Sequence, residues 1–368
     1  MFKLKVVQAS HGDSFILEYG STGDSKYMLI DGGPRGAYKN YLKRNLEYIR
    51  SQGGEIDIAV VSHVDSDHIV GIIDLLVDNE LQVVNGTPEI IKVKELWLNS
   101  FSDTLNDSTH ANDVRFMNIG QPTININMKQ TLLSMRGIQH GRDLRLKALR
   151  NSVLLNDGFL NNTIMVDDSP VVRQFSNLEV HIIGPLKKNL DELKLEWIEW
   201  LEQYETAVSS ADPFLLANSD SSVPNLSSIM FVAKAHGKSI LFTGDGRGDH
   251  IIDGLDQANL LTSGKAHFDI LKVAHHGSNR NATKSFFKKI TADLYIISAH
   301  GHPDNPDLST LIWIVEAAKE QNRQIEIFAT NQDPDIDKLK EEYPEVEYGY
   351  TILVMNRNFH YKDFELSP

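Results

Sequence analysis

Four metal-binding side chains lie within six residues of one another, between His63 and His68. The segment reads His-Val-Asp-Ser-Asp-His, so it offers two imidazoles and the carboxylates of Asp65 and Asp67. In an apolar setting these groups would be costly unless a cation or a hydrogen-bond network satisfied them. An Asp at the start of a helix is an ordinary cap, but that explains one carboxylate and not the set. The spacing therefore predicts a metal site.

The flanking residues predict the elements that position this site. Residues 56–61 form an apolar, β-branched run that is typical of a buried strand. Ile69, Ile72, Ile73 and Leu76 then fall on one face of a helix. We expect the tight turn between strand and helix to aim the metal-binding side chains at one point.

The same arrangement recurs along the chain, because at least five predicted strands end in residues of this chemical kind. A lone histidine is usually an ordinary polar residue, but pairs at successive strand ends favour a shared site. Such ends can converge at one edge of packed sheets, where the strands form a rigid base. The residues concerned are Asp31, His63 to His68, Asp245, His275 with His276, and His300 with His302.

Composition limits the chemistry and the partners. The chain has 368 residues, of which 41% are hydrophobic and 23% charged, as in a globular protein with a full core. Cysteine is absent, so metal ligands must be His, Asp or Glu. The net charge of −14 argues against a broad basic surface for nucleic acid. A local basic segment is the exception, with a solvated helix face as the alternative interpretation: Lys129, Arg136, Arg142, Arg145, Lys147 and Arg150.

The chain is expected to form a single domain over residues 1–368, with an insertion at approximately 100–178. Residues 100–127 are rich in Asn, Asp, Ser and Thr and show no clear period. Long irregular segments of this kind are often lids, so we expect the insertion to pack on or near the site, where it also offers an arm for a protein partner. The N-terminus lacks the apolar region of a signal peptide, and no apolar run reaches membrane-spanning length, so a cytoplasmic protein without membrane contact is expected.

Periodicity predicts alternating strands and helices over the rest of the chain. A hairpin is expected to turn at His236-Gly237-Lys238. Helices are predicted at 38–51, 190–206 and 309–321, and residues 132–155 are expected to be partly helical. Strands are predicted at 4–9, 14–19, 26–30, 56–61, 93–99, 178–185, 228–235, 239–242, 269–273, 293–298, 324–330 and 348–355, the last two closing the chain.

The motifs at the strand ends resemble those of the metallo-β-lactamase-fold hydrolases. The similar segments are residues 29–33, 62–68 with Gly71, 242–245 and 272–278. Within that superfamily the chain looks most like the hydrolase domain of ComEC-type DNA-uptake proteins. The supporting features are Gly12-Asp13-Ser14, the His-x-Asp-x-Asp-His motif, residues 225–228, His-His-Gly-Ser and Gly301-His302-Pro303.

The resemblance implies an α/β fold, a four-layer αβ/βα sandwich with the site at one edge. Asp67, His68, Asp245 and one of His275 or His276 match the ligands of one metal, with a slight preference for His275. His63 and Asp65 would hold a second metal, with Asp245 bridging. Asp31 matches a residue that orients the second-motif loop through hydrogen bonds.

Two departures from the superfamily pattern affect the choice of metal. Asp65 stands where His is usual, and Asn225, Ser227 or Ser228 stands where another His is usual. The site is therefore richer in oxygen, so Mn²⁺ or Mg²⁺ becomes plausible beside Zn²⁺, as one ion or two.

The residues present favour hydrolysis by a water molecule that a metal activates, since the chain has neither a thiol nor a Gly-x-Ser-x-Gly elbow. Asp65 or Asp67 would take the proton of the water, and His300 or His302 would protonate the leaving group or clamp a phosphate. A phosphodiesterase or nuclease acting on DNA is the first hypothesis. The alternatives are a small-molecule hydrolase acting on a cyclic nucleotide, phosphoester or lactone, and a non-catalytic partner protein with a structural metal site.

Overall fold

A computed structural model of the chain describes most of its residues. These are residues 1–100, 129–167, 171–192, 194–195, 227–300, 305–356 and 358–366, with the side chains of 129–136 and 138 excluded. Asn225, His302 and most of the predicted helix 190–206 lie outside them, so the expectations placed on those residues stay predictions.

The first sheet has seven strands and carries the N-terminal half of the site motifs. Its strand order is β15-β1-β2-β3-β4-β5-β6, antiparallel from β15 to β3 and parallel from β3 to β6. The strands are β1 (Phe2–Val7), β2 (Phe15–Ser21), β3 (Asp24–Ile30), β4 (Ile56–Val60), β5 (Val93–Trp97), β6 (Leu154–Leu155) and β15 (Tyr361–Glu365).

The second sheet has eight strands in the order β14-β13-β12-β11-β10-β9-β8-β7. Strands β10 to β14 are parallel and β7 to β10 antiparallel. The strands are β7 (Val171–Phe175), β8 (Leu178–Gly184), β9 (Met230–Ala235), β10 (Lys238–Phe242), β11 (Ala266–Lys272), β12 (Ile290–Ile297), β13 (Ile325–Ala329) and β14 (Tyr350–Val354).

Eight α-helices lie in the described part of the chain. A π-helical turn, Tyr38–Leu42, leads directly into the first of them. The helices are α1 (Lys43–Ser51), α2 (Ser66–Val84), α3 (Lys129–Arg150), α4 (Gly248–Gln257), α5 (Lys284–Lys289), α6 (Leu308–Glu320), α7 (Pro334–Glu342) and α8 (Glu345–Tyr348).

Three buried apolar clusters separate four layers. The central cluster joins the facing sides of the two sheets, with side chains such as Phe15 and Phe242 whose ring centroids are 6.0 Å apart. A second cluster packs helices α1, α2 and α3 on the outer face of the first sheet. A third packs α4 to α7 on the outer face of the second sheet. The four-layer αβ/βα sandwich predicted from the sequence is therefore confirmed.

Several predicted elements are present, but the strand list is incomplete. The helix at 38–51 and the hairpin at His236-Gly237 are confirmed. The expectation that the chain closes with the strand at 348–355 is wrong, because β15 follows and pairs with β1. Helix α4 and the edge strand β7 are also absent from the prediction. Through β6 and β7, the segment predicted as an insertion contributes strands to both sheets.

The described helices include none that combines the length and the apolar character needed to cross a membrane.

Candidate metal centre

The turn that carries His63 and His68 is held against the end of strand β3 by close backbone contacts. Gly32 N donates to His68 O at 2.8 Å, and Gly71 N donates to Gly33 O at 3.0 Å. A Cβ atom on Gly71 would lie only 1.9 Å from Gly32 O, so only glycine fits this crossing. Helix α2 therefore starts directly beside the residues that follow β3.

Three imidazoles and two carboxylates converge beside these strand ends. His63 Nε2 lies 3.7 Å from Asp245 Oδ2, and His68 Nε2 lies 3.5 Å from Asp245 Oδ1. His276 Nε2 lies 3.7 Å from Asp245 Oδ2 and 3.2 Å from Asp67 Oδ2. Atoms that share an ion, each bound at about 2.0–2.2 Å, have separations of this size. Three overlapping groups share His68, and they are completed by His63 with Asp245, by Asp67 with His276, and by Asp13 with Asp31.

Several of the converging atoms have no hydrogen-bond partner among the residues that the structure describes. Nε2 of His63, His68 and His276 and Oδ1 of Asp245 are all buried and make no hydrogen bond. Leaving a buried polar atom unsatisfied costs about 1–3 kcal/mol. A divalent cation would satisfy these atoms together, because imidazole nitrogen and carboxylate oxygen are its usual protein ligands. The residues present therefore fit a metal centre.

Asp31 fixes the orientation of His68 from behind. Its carboxylate accepts hydrogen bonds from Ser62 N at 2.7 Å, from Ser62 Oγ at 2.7 Å and from His68 Nδ1 at 2.8 Å. A hydrogen on Nδ1 leaves the lone pair of the imidazole on Nε2, which faces Asp245. Partners of this kind hold a metal-binding imidazole in one tautomer and one direction.

His275 and His276 form a tight turn after strand β11, and both have left-handed backbone conformations, with φ of 48° and 55°. Such conformations in residues other than glycine cost about 1–3 kcal/mol and cluster at functional sites. His276 Nδ1 donates to Ser298 O at 2.7 Å, which turns Nε2 into the centre. His275 Nε2 lies 3.8 Å from Asp245 Oδ2. The two imidazoles thus both approach Asp245, and His276 is the one grouped with Asp67 and His68.

Asp65 occupies the position before helix α2, where an Asp side chain commonly caps the helix. Its side chain makes no cap hydrogen bond here. Its Oδ2 atom lies 3.6 Å from His63 Nε2 instead. The carboxylate of Asp65 therefore faces the centre. It lies next to His63 and Asp245, with which the sequence analysis groups it as the second half-site.

Two residues of the centre were not assigned a role from the sequence. Lys272 Nζ lies 2.5 Å from Asp13 Oδ2 and 3.5 Å from Asp245 Oδ1, and it donates to Gly244 O at 2.9 Å. Asp13 Oδ1 lies 3.5 Å from His276 Nδ1. Both side chains are fully buried, with relative exposures of 2% for Lys272 and 0% for Asp13. The signal for Asp13 was its motif, Gly12-Asp13-Ser14, and Lys272 opens the motif at 272–278.

Charge balance in the centre shifts the pKa values of its members strongly. Burial raises the pKa of Asp13, but the cations of Lys272 and His276 outweigh it and lower that pKa to about 2. Burial lowers the pKa of His276, but the carboxylates of Asp245 and Asp13 raise it to about 10. Burial is likewise outweighed at His68, whose pKa is raised well above its ordinary value by Asp245 and Asp31. The surrounding carboxylates thus favour the protonated form of both imidazoles, and binding of a metal would release these protons.

The remaining expected site residues lie at different distances from the centre. Ser228 is buried and lies beside the residue that precedes Asp245, because a Cβ atom on Gly244 would lie 3.3 Å from Ser228 Cβ. His300 is exposed and lines a separate pocket with Ser10 and Asn331. Of the described residues, His300 belongs to none of the groups whose ligand atoms come together.

Helix α3 packs against the turn between His63 and Asp65. Cβ atoms on Gly137 and Gly141, one helical turn apart, would each lie 3.2 Å from the side chain of Val64. The basic residues of α3 that the structure describes follow this contact, and the last of them, Arg150, is exposed. Part of the basic segment noted in the sequence is thus anchored beside the candidate centre.

The chain is similar to several solved structures at low sequence identity. A crystal structure of YhfI from Bacillus subtilis, described as a metallo-beta-lactamase fold protein, matches at 11% identity with a TM-score of 0.40, over 99% of this chain and 100% of that chain. A crystal structure described as a new diphosphatase from the PhnP family matches at 12% identity with a TM-score of 0.42, over 100% of this chain and 98% of that chain. The curated proteins contain no match to this sequence.

The family comparison covers the part of the chain that holds the first site motifs. Residues 8–99 match the model of the Metallo-beta-lactamase superfamily, a range that includes Asp13, Asp31 and the turn from His63 to His68. Residues 8–99, a quarter of the chain, are therefore similar to the metallo-beta-lactamase superfamily.

Proposed function

We propose that the protein is a metal-dependent phosphodiesterase whose substrate is DNA. The observation that carries the proposal is the convergence of unsatisfied buried atoms from His63, His68, His276 and Asp245 in a domain of a hydrolase superfamily. Divalent cations bound there would lower the pKa of a water molecule and neutralise the charge that develops on the phosphate oxygens. Hydrolysis would add that water to phosphorus and release one esterified oxygen as an alcohol.

The side chains of the centre would have different roles in this reaction. The carboxylate of Asp245 approaches the imidazoles of His63, His68 and His276, so it suits a bridging position. Asp65 and Asp67 keep 34% and 24% of their side chains exposed, which lets either take the proton of the attacking water. The leaving oxygen would receive its proton from His300 or His302.

Three features favour a phosphodiester, and DNA in particular. The motifs, from Gly12-Asp13-Ser14 to His275-His276-Gly277-Ser278, resemble those of ComEC-type hydrolase domains. The basic helix α3 packs beside the centre, where it would attract a polyanion in spite of the net charge of −14. The carboxylates of Asp65, Asp67 and Asp245 make the centre rich in oxygen, which suits Mn²⁺ or Mg²⁺ as well as Zn²⁺.

Cleavage of labelled single- and double-stranded DNA tests this function. The purified protein is stripped with a chelator and reloaded separately with Mn²⁺, Mg²⁺ or Zn²⁺. We expect cleavage that His68→Ala and Asp245→Ala abolish. His267→Ala is the matched control. His267 is exposed and pairs with Asp293. The two residues lie near the starts of strands β11 and β12, whereas His276 follows the end of β11. Absence of cleavage with all three metals would contradict the proposal.

A second candidate is a small-molecule hydrolase acting on a cyclic nucleotide, a phosphoester or a lactone. The acidic balance of 50 Asp and Glu against 36 Lys and Arg favours it, because a long polyanion is repelled by such a surface. A screen with generic phosphodiesters, cyclic nucleotides and lactones separates the two. Turnover of a small substrate in the absence of DNA cleavage would favour this second function.

A further inference from the structure

A large groove lies on the outer side of the first sheet, away from the candidate metal centre. It has a volume of about 750 Å³ and is bounded by strands β1 to β3, the π-helical turn with helix α1, and residues 358–363. We call it the β1–β3 groove. Its volume lies in the range of about 300–1,000 Å³ that is typical of ligand sites in proteins.

Aromatic rings are concentrated in the β1–β3 groove. Tyr48, Phe359 and Tyr361 are 66%, 62% and 43% exposed, and all three line it. Within the described ranges, no other aromatic side chain belongs to the strongly exposed hydrophobic residues of the protein. Exposed rings gathered in one concave surface offer flat apolar faces on which the bases of a nucleic acid can stack.

The β1–β3 groove also carries positive charge on an acidic protein. Lys3 and Lys5 lie in it, paired with Glu18 at 2.6 Å and with Asp363 at 3.0 Å. Arg44, on helix α1, also lines the groove and has no carboxylate partner in the part of the chain that the structure describes. An unpaired guanidinium beside exposed rings suits a phosphate that follows a stacked base.

A smaller pocket adjoins the β1–β3 groove on the side that carries Ser10 and His300. This rim pocket has a volume of about 400 Å³ and shares Tyr41, Phe359 and His360 with the groove. The rings of Tyr41 and His360 are in contact, with centroids 5.3 Å apart. The other end of the rim pocket is lined by Ser10 and His300.

Both of these end residues are close to the centre along the backbone. Ser10 lies three residues before Asp13, and His300 lies two residues after Ser298. Ser298 contacts both the candidate centre and the segment that contains Ser10. Its carbonyl accepts a hydrogen bond from His276 Nδ1, and its hydroxyl donates to Gly12 O at 2.5 Å. The rim pocket therefore shares residues with the β1–β3 groove at one end, and at the other end it reaches residues that are close in sequence to segments of the candidate centre.

We propose that the rim pocket and the β1–β3 groove form one track that binds a single-stranded nucleic acid leading away from the metal centre. The proposal rests on the phosphodiesterase function above and adds to it the form of the substrate. A small substrate would occupy the centre alone, whereas a strand would place successive bases against Tyr41, Phe359 and Tyr48. Exposed rings and one unpaired cation suit stacked bases on a flexible backbone, because a paired duplex does not present its base faces.

Binding of a fluorescent single-stranded phosphorothioate oligonucleotide, followed by anisotropy, tests the track. Tyr48→Ala and Phe359→Ala should each weaken binding by about fivefold or more, which is the lower end of the effect of losing one base stack. Arg44→Ala should reduce the slope of log affinity against log salt concentration by about one. Val346→Ala and Lys92→Ala are the controls, because both residues are exposed and lie outside the track.

Hydrolysis is measured in parallel on the cleavable oligonucleotide and on bis(4-nitrophenyl) phosphate, which is too small to reach the β1–β3 groove. The ratio of kcat/KM for the oligonucleotide to kcat/KM for the small diester should fall about fivefold or more in the two ring variants. Oligonucleotide affinities within about twofold of the native protein in all three track variants would overturn the track. Equal affinity for a mononucleotide and for the strand would overturn it as well.

The two proposals fail in different ways. If the native protein hydrolyses neither substrate with any of the three metals, the phosphodiesterase function is contradicted, while the anisotropy series still decides whether the track binds a strand. Thermal melting of each variant shows whether it remains folded, which we expect because Tyr48, Phe359 and Arg44 line an open surface.

Discussion

Asp31 and His68 form a buried hydrogen bond of 2.8 Å that sets the direction of the imidazole in the candidate metal centre. The bond joins the residue that follows strand β3 to the first turn of helix α2. Because Asp31 also accepts from Ser62 N and Ser62 Oγ, its two oxygens face three donors. The centre is therefore held by a carboxylate behind it as well as by the side chains that face it.

Asp31→Asn should lower the affinity of the centre for a divalent metal by about 10–100-fold. An amide offers only one acceptor oxygen, so its NH₂ group would face one of the three donors. Competition with a chromogenic chelator measures the affinity. The control is Asp293→Asn, at an exposed carboxylate that pairs with His267. Equal affinities of native protein and Asp31→Asn would show that this hydrogen bond does not orient a ligand.

Lys272→Met should destabilise the protein by about 3–5 kcal/mol, because it removes the cation nearest to the buried Asp13. Chemical denaturation measures the loss. The double variant Asp13→Asn with Lys272→Met should lose less stability than the sum of the losses in the two single variants. In the double variant neither position carries a charge, so no unpaired charge is buried. The same cycle on the exposed pair Lys188 and Asp253 should give a coupling of at most about 1 kcal/mol. Additive losses at Asp13 and Lys272 would contradict the interpretation.

Gly71→Ala should destabilise the fold by about 1–3 kcal/mol or more, because the new methyl group would meet Gly32 O at 1.9 Å. Helix α2 would have to move away from the end of strand β3, and metal affinity should fall with it. Val84→Ala, at the exposed end of the same helix, should change stability by no more than about 0.5 kcal/mol. Native stability and native metal affinity in Gly71→Ala would show that this crossing does not position the turn.

Stability of the chelator-treated protein should fall as pH rises, through the titration of His276. The carboxylates of Asp245 and Asp13 outweigh burial and raise the pKa of His276 from 6.5 to about 10, so the folded chain holds a proton that the unfolded chain releases. The stabilisation is complete below pH 6.5 and is lost as pH rises through about 10.

The free energy of unfolding, measured by denaturation from pH 6.5 to pH 10, checks this sign. In His276→Gln the decline over that window should be shallower than in the native chain. Metal-loaded protein should also show a shallower decline, because an imidazole that binds metal is already neutral. Identical pH profiles for the native chain and His276→Gln would contradict the assignment.

The sequence was informative where the chemistry is local. The turn from His63 to His68 holds four of the relevant groups within six residues, and Asp245 and His276 sit at ends of apolar strands, so the position of each could be inferred from the pattern. The pairing of Asp13 with Lys272 could not, because it is a tertiary contact between distant segments. Strand β15 escaped prediction for a similar reason: its residues, Tyr361–Glu365, are mostly polar and are fixed by pairing with β1.

Anomalous X-ray diffraction from crystals of the purified protein, collected at the absorption edges of zinc and manganese, tests the central claim most directly. We expect an anomalous difference peak between His68, His276, Asp67 and Asp245. The same geometry permits a second ion beside His63 and Asp65. Protein that contains stoichiometric metal at another position, or that takes up none after incubation with Zn²⁺ or Mn²⁺, would contradict the account.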